Sequence, residues 1–270
     1  MGESGEGDKE MRQMTEGLPG GLPIVSVVMP AHNAGRYIVS AVESVLRQGI
    51  RSIELIVVDD MSTDNTVELI RLCAQRDPRV RIIRNESNVG AAASRNRGIE
   101  TAEGAWIAFI DSDDIWREDK LELQLLRAEE TGTELVYSSY RIIEDGRTCP
   151  RTYTVPERAD YELMLRENVI GCSTAMVSRR MLGGRLFPED VYHEDYALWL
   201  ELLRGGAEAA GCIEPLVDWR VVSGSRSFDK RRAAKNRWMI YRARERLPLM
   251  KTVRVFAEYA VNGIRKHRRI

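Results

Sequence analysis

The sequence predicts an α/β protein with a mostly parallel central sheet, flanked by helices and followed by a helical C-terminal extension. Three observations carry this. Four short apolar runs, at residues 24–29, 54–58, 80–83 and 106–110, each stop at a polar or turn-forming cluster, as buried strands do. Segments of helical period lie between them, and strands alternating with helices imply parallel pairing through right-handed crossovers. Neither a repeat nor a linker divides residues 24–222, which reads as one domain.

Taken in order, the first strand ends at Pro30, and Pro30-Ala31-His32-Asn33-Ala34-Gly35 is turn chemistry. Ile38, Ala41, Val42, Val45 and Leu46 form the apolar stripe of a helix that Gly49 ends. The second strand stops at Asp59-Asp60. Ser62-Thr63-Asp64 then supplies helix-start candidates and an acidic first turn for a helix over 65–75, which Asp77-Pro78 breaks. After the third strand, Asn88-Val89-Gly90 turns the chain into a small-residue helix over 91–100. The fourth strand runs into Asp111, Asp113 and Asp114. Beyond Trp116 the pattern changes. Helices are expected over 120–130, 161–167 and 193–204. Strands are expected over 134–140 and 147–154, joined at Glu144-Asp145-Gly146, a hairpin signal, and over 174–178 and 212–222. Residues 229–246 read as a basic helix. A final helix over 249–269 places Val253, Phe256, Ala257, Ala260, Val261 and Ile264 on one apolar stripe.

Composition narrows the function classes. A chain of 270 residues, 43% apolar, fits one large or two small globular domains. No window holds the roughly 18 apolar residues of a membrane span. The first twenty residues are rich in Gly, Glu and Met without an apolar core, so a disordered tail is expected rather than a signal peptide. Cys73, Cys149, Cys172 and Cys212 lack metal-type spacing and read as free buried thiols in a reducing cytoplasm. Net charge is −1, yet residues 220–270 hold sixteen Lys or Arg against Asp229, Glu245 and Glu258, a net of +13 on an otherwise acidic body. That asymmetry points to an anionic partner, and a solvated basic helix is the competing account.

The chemistry gathers at strand ends. In a parallel sheet, Pro30–Asn33, Asp59-Asp60 and Asp111–Asp114 all fall on one edge, where α/β folds bind ligands. Three carboxylates in four positions repel one another unless a cation lies between them. Mg²⁺ or Mn²⁺ is the simplest candidate, since a hard cation takes oxygen ligands and leaves positions for substrate phosphates. A solvated Asp-rich turn capping the next helix is the alternative. Asp59 and Asp60 are suited to accept from a base N–H or ribose hydroxyls. Arg95 and Arg97 are candidates to neutralise a diphosphate, with surface solvation as the alternative for one of them.

Together these stretches resemble glycosyltransferase family 2, whose members have the GT-A fold. The resemblance rests on Val25-Ser26-Val27-Val28-Met29-Pro30-Ala31-His32-Asn33, on Ile56-Val57-Val58-Asp59-Asp60-Met61-Ser62-Thr63-Asp64-Asn65-Thr66, and on Asn88-Val89-Gly90 with Ser94-Arg95-Asn96-Arg97-Gly98. It continues through Asp111-Ser112-Asp113-Asp114 and His193-Glu194-Asp195-Tyr196-Ala197-Leu198-Trp199-Leu200, and covers residues 24–241. Each motif alone is weak; five in the family's order are specific. Val222-Ser223-Gly224-Ser225 and the helix with Lys235, Arg237, Trp238 and Tyr241 further resemble wall- and surface-polysaccharide transferases of the teichuronic acid type.

The resemblance implies a GT-A (Rossmann-like) domain over 23–222, with a nucleotide-sugar half at 23–116 and an acceptor half at 117–222. A tail, 1–22, precedes it and a basic extension, 223–270, follows. It implies an inverting, metal-dependent enzyme moving a sugar from a nucleotide-sugar donor, UDP-linked by the family's leaning. The acceptor is a hydroxyl of a glycan or lipid-linked molecule in surface-polysaccharide synthesis. Pro30, His32, Asn33, Asp59, Asp60, Asn88, Arg95, Asp111 and Ser112 would bind the nucleotide sugar. Asp113 and Asp111 would hold Mn²⁺ or Mg²⁺, and Asp195 would be the base. Ser173, Thr174, Glu194 and Trp199 would lie on the acceptor side. Helix-start electrostatics is the plainer account of Glu194 and Asp195. Two departures stand out: His32 replaces a usual aromatic residue, and Arg237-Trp238 is preceded by Ala234 rather than the Gln of processive synthases. With no membrane span expected, transfer of one or a few sugars fits better than polymer extrusion. Expected partners are the donor, the acceptor and an anionic membrane surface met peripherally from the cytoplasm, with no nucleic acid. A sugar-phosphate nucleotidyltransferase would carry a Gly-rich basic loop after the first strand, where this chain has Pro30–Gly35. A polyanion-binding module would not need carboxylates at three strand ends.

Overall fold

The computed structural model describes residues 22–144, 147–221 and 230–269, by backbone alone at 144, 147–150, 230 and 263–269. The N-terminal tail as far as residue 21, the centre of the Glu144-Asp145-Gly146 turn and the Val222-Ser223-Gly224-Ser225 stretch lie outside the described residues. So do the side chains of Cys149, Ile264, Arg265, Lys266, Arg268 and Arg269.

The first half alternates as its periodicity requires: β1 (Val25–Ala31), α1 (Ile38–Leu46), β2 (Ile53–Asp59), α2 (Thr66–Arg76), β3 (Val80–Arg84), α3 (Gly90–Thr101) and β4 (Trp106–Phe109). β1 and β2 are buried along their whole length, which explains their unbroken apolar character. Along β1, Val25, Val27 and Met29 face a core layer shared with Ile38, Ala41, Val42 and Val45 of α1. Val28 faces the opposite layer, with Ile99 of α3. Gly98 lets α3 lie close to the sheet: a Cβ there would stand 2.4 Å from Cγ1 of Val28.

The second half comprises β5 (Ile115–Trp116), α4 (Lys120–Thr131), β6 (Leu135–Glu144), β7 (Arg147–Tyr153), β8 (Arg158–Ala159), α5 (Tyr161–Arg166), a 3₁₀ turn (Cys172–Thr174), β9 (Met176–Ser178), α6 (Arg179–Leu182), α7 (Glu194–Leu203) and β10 (Ala209–Val221). One sheet takes all ten strands in the order β3-β2-β1-β4-β9-β6-β10-β5, with β7 on β6 and β8 on β10. It is mixed. β1 pairs in parallel with β2 and β4, as does β2 with β3, but β9 runs antiparallel to both β4 and β6. Parallel neighbours need a crossover between them, whereas β6 and β7, successive in the chain, pair antiparallel with Glu144 opposite Arg147. The chain leaves β1 for β2 on one side and reaches β4 on the other. The carboxyl ends of these strands therefore open the crevice where such folds bind ligands.

The chain closes with α8 (Lys230–Met239), a π-helical turn (Ile240–Arg244) and α9 (Leu249–Arg269). The apolar stripe expected on α9 is divided. Thr252 and Val255 are buried and Phe256 packs on the core, while Val253, Ala257, Ala260 and Val261 are exposed beside Met250, which is 83% exposed. Among the described residues no helix is long and apolar enough to cross a membrane. Cys73, Cys172 and Cys212 are free and buried.

Candidate active site

The ends of β1, β2 and α3 form one rim of the crevice. Asn33 takes a left-handed φ of 49°, which Asn tolerates better than most residues, and its side-chain oxygen accepts from Thr63 N at 2.8 Å. His32 Nδ1 donates to the Asp60 carbonyl oxygen at 2.6 Å, and Asn88 Nδ2 donates to the same oxygen at 3.4 Å. Asp59 is fully buried and accepts from Ser62 N and from Arg84 Nε at 3.2 Å. Asp60, also buried, accepts from Val89 N, Gly90 N and Asn85 Nδ2, each at 2.8 Å. Both acids thus have internal partners, and Asp60 shapes the turn before α3. Of the residues expected to bind the nucleotide sugar on this rim, His32, Asn33 and Asn88 are exposed. Pro30 is a buried strand residue beside Val58.

At the end of β4 the chemistry differs. Arg95, its side chain only 5% exposed, donates through Nη2 to Asp111 Oδ1 at 2.6 Å and through Nη1 to Glu194 Oε1 at 2.8 Å. It therefore ties the end of β4 to the start of α7 rather than reaching outward for a phosphate, and Arg97 is bonded to Asn85 Oδ1 and the Arg84 carbonyl. The Asp111 backbone N–H donates to Ser173 Oγ at 3.0 Å, so Ser173 sets the position of Asp111 from behind. Ser112 is half-buried between two acids. Burial, and then the charge of Asp111, push the Asp113 carboxyl up to about 6. Asp114 is fully buried and raised further by burial and both neighbours; its Oδ1 accepts from Arg220 N, while Oδ2 has no partner among the described residues.

A cavity of about 250 Å³ opens between Asp111 and α7, with Arg95, Asp111, Ser173, Thr174, His193, Glu194 and Asp195 in its wall. Asp195 is pushed up to about 6, first by burial and next by the charge of Glu194. Its Oδ1 accepts from Tyr196 N at 2.7 Å. The structure thus brings Asp111, Ser173, Thr174, Glu194 and Asp195 together, far apart though they are in sequence. It also brings residues that periodicity did not single out: Tyr140, Tyr153 and Trp219 form an aromatic wall, Tyr140 lying 5.1 Å from Tyr153 and 5.7 Å from Trp219 between ring centroids. Their alternation within strands is the only sequence signal for them, and core aromatics give the same signal. Trp199 is a correction. It is fully buried against Phe109 and Phe187, each 6.0 Å away, because it lies one turn into α7 where that helix meets the core.

Among the described residues no three His, Cys, Asp or Glu side chains converge as a ready metal cluster. Asp111 and Asp113 nonetheless fit a hard cation: the charge of Asp111 raises the cost of ionising Asp113, and few protein ligands suit an ion that completes its shell with water and phosphate oxygens.

Residues 26–187 match the family described as Glycosyl transferase family 2. TuaG of Bacillus subtilis, a glycosyltransferase assigned to teichuronic acid biosynthesis, is 39% identical over 245 residues, covering 90% of this chain and 97% of its own. WfgD of Escherichia coli, named as a UDP-Glc:α-D-GlcNAc-diphosphoundecaprenol β-1,3-glucosyltransferase, is 34% identical over 245 residues, covering 90% and 95%. Among solved structures, TarS of S. aureus in complex with UDP-GlcNAc aligns with a TM-score of 0.69 at 20% identity, over 87% of this chain and 71% of that one. Mannosyltransferase PcManGT from Pyrobaculum calidifontis, in complex with GDP-Man and Mn²⁺, aligns at 0.67 and 18% identity, over 94% and 74%. At those identities the two structures speak for the fold.

Proposed function

The chain belongs to glycosyltransferase family 2 and is a glycosyltransferase, and from that premise we propose that it transfers one sugar, with inversion, from a UDP-linked donor to an acceptor hydroxyl. The observation that carries this is the meeting of Asp195 and Asp111 in one cavity, cross-linked through Glu194 and Arg95. A carboxylate raised to about 6 is matched to proton transfer near neutrality. Asp195 takes the proton of the acceptor hydroxyl as its oxygen attacks the anomeric carbon, and the nucleoside diphosphate departs from the opposite face. Arg95 keeps Asp111 and Glu194 in fixed relation while this happens. The aromatic wall of Tyr140, Tyr153 and Trp219 offers apolar faces to sugar rings and excludes water. Asp111 and Asp113 would hold Mg²⁺ or Mn²⁺, which when bound supplies Lewis-acid neutralisation of the leaving diphosphate. Family membership removes support from the nucleotidyltransferase and polyanion-module readings. Release of UDP from UDP-sugars by the purified protein, stimulated by Mn²⁺ and stopped by EDTA, is the expected result. UDP release that EDTA leaves unchanged would overturn the metal assignment.

The acceptor proposed is a glycan or lipid-linked intermediate of surface-polysaccharide synthesis, by likeness to the named relatives. The exposed side of α9 supports peripheral attachment at the inner face of the plasma membrane: Met250, Val253 and Val261 are apolar and open to solvent in a segment of net charge +13. Each Lys or Arg near an anionic leaflet contributes roughly 1 kcal/mol, and buried apolar area adds to it. Asn262 of α9 donates to the Arg166 carbonyl, and the cavity wall begins at Asn168, so that side of the molecule adjoins the acceptor entrance. Sedimentation with vesicles containing anionic lipid at low salt, weakened by Val253→Asp, is expected; a protein that stays in the supernatant is not attached this way.

A further inference from the structure

We propose that Arg220 is the residue that receives the donor's diphosphate, an inference that rests on the nucleotide-sugar reading above. The two arginines that the sequence offered for this are committed elsewhere. Both terminal nitrogens of Arg95 are on carboxylates, of Asp111 and Glu194, and Arg97 is bonded to Asn85 and Arg84.

Arg220 stands near the end of β10. Its backbone N–H donates to Asp114 Oδ1 at 2.9 Å, and Nε donates to the main-chain oxygen of Asp113 at 2.8 Å. Its guanidinium carbon lies 4.6 Å from the centre of the Tyr37 ring, a cation–π contact that fixes the plane of the group. One side chain thus touches the segment just beyond the β1 turn and the acidic turn after β4. The first adjoins His32 and Asn33, on the nucleoside side; the second adjoins the cavity that takes the sugar. A diphosphate joins nucleoside to sugar, so it must span the interval that Arg220 bridges.

The chemistry agrees. Because Nε bonds a main-chain oxygen, the Asp113 carboxylate stays available for a cation. Among the described residues Arg220 forms no ion pair, and its two terminal nitrogens, on a partly exposed side chain, have no hydrogen-bond partner. A guanidinium fixed at Nε with its terminal edge open presents the fork that matches phosphate oxygens. It also places a positive charge beside Asp113 and Asp114, in an acidic turn that an anionic donor must approach.

The test is ligand binding by the full-length chain. UDP affinity is measured by calorimetry and uridine affinity by NMR titration, each with and without Mn²⁺, for the wild type, Arg220→Met, Arg220→Lys and Arg97→Met. Arg220→Met is expected to weaken UDP by about 10- to 100-fold, as loss of hydrogen bonds to a charged group does, while uridine changes less than about twofold. Arg220→Lys, which keeps the charge but not the fork, should fall between, and Arg97→Met should match the wild type. Equal losses for UDP and uridine would make Arg220 a structural tie between β10 and the acidic turn and overturn the proposal. So would an effect that disappears without Mn²⁺, which would act through Asp113. If Arg220→Met does not fold, Tyr37→Leu removes the stacking platform and should weaken UDP selectively; unchanged UDP affinity there and in Arg220→Lys overturns the proposal. A wild type that binds no UDP, GDP or dTDP would overturn the nucleotide-sugar reading itself, an outcome distinct from the others.

Discussion

Asp60 and Asp113 follow two strands that flank β1 in one sheet, and they have opposite surroundings. Asp60 accepts three hydrogen bonds from the protein and holds a turn in shape. Asp113 is pushed toward its neutral form by burial and by Asp111. One acid is satisfied by hydrogen bonds of the fold; at the other, the nearby charge of Arg220 does not offset burial and Asp111. Asp195 belongs with Asp113, since burial and Glu194 raise it in the same way. The contrast separates an acid bonded into the frame of the crevice from the two proposed to act in it, although all three look alike in sequence.

Four measurements can break or sharpen that division. The largest effect is expected at Asp195. Asp195→Asn keeps the shape but removes the proton acceptor, so kcat should fall by about 10²–10⁴-fold with donor affinity nearly unchanged. A loss confined to donor affinity would move Asp195 to the binding class. Next is Asp60→Ala, which removes the acceptor of Val89 N, Gly90 N and Asn85 Nδ2, the last of which keeps Ser94 Oγ. Chemical denaturation should show a loss of about 1–2 kcal/mol, at roughly 0.5–1 kcal/mol for each hydrogen bond lost where water can reach. A variant as stable as the wild type would place Asp60 among the working acids. Asp113→Asn should do the reverse. In EDTA, removing a strained buried charge is expected to raise stability by about 1 kcal/mol, or roughly 2–4 °C in Tm for a domain of this size, while Mn²⁺-stimulated turnover falls. A lowered Tm would mean that the Asp113 carboxylate has a partner in the fold after all.

The smallest effect is the pH dependence of stability without metal. A carboxyl with a higher pKa folded than unfolded binds its proton more tightly in the fold, so its contribution favours folding at low pH and is lost as pH rises. For Asp113 and Asp195 the window runs from about 4, the ordinary carboxylate value, to about 6. Their contribution to Tm should therefore decline across that window, and Asp113→Asn should flatten part of the slope. Activity moves the other way, since Asp195 must be ionised to accept a proton, and kcat/KM should rise through about 6.

Much of the first half was legible in the sequence because its signals are local. The apolar runs of β1, β2 and β4 stop at the acids and turns that end them, and the parallel register then puts those ends on one edge. The acceptor side was less legible because its contacts are distant. Arg95 reads as a surface cation until the partners 16 and 99 residues away are seen. Trp199 shares a motif with Asp195, yet one helical turn carries it from the cavity into the core. Tyr140, Tyr153 and Trp219 come from β6, β7 and β10, and only the mixed pairing of those strands makes them one wall. Arg220 gave no signal beyond its place just ahead of Val222-Ser223-Gly224-Ser225.

Gly98 carries a consequence for how mutational scans of this enzyme would read. It is not in the cavity wall, and its own neighbour is Val28, in the core. Yet α3 carries Arg95 one helical turn before it, and the clearance between α3 and β1 decides how far that guanidinium reaches. Even alanine would meet Val28 at 2.4 Å and push the helix outward, drawing Arg95 away from Asp111 and Glu194. A saturation library would then score Gly98 as intolerant alongside Asp195, and a ranking by sensitivity alone would mistake a spacer for a reagent. Pairing each activity score with a melting temperature would not fully cure the error, since a lifted helix costs stability and geometry together. A compensating Val28→Ala change would: it restores room for the methyl group, and with it the reach of Arg95, without altering any group in the cavity.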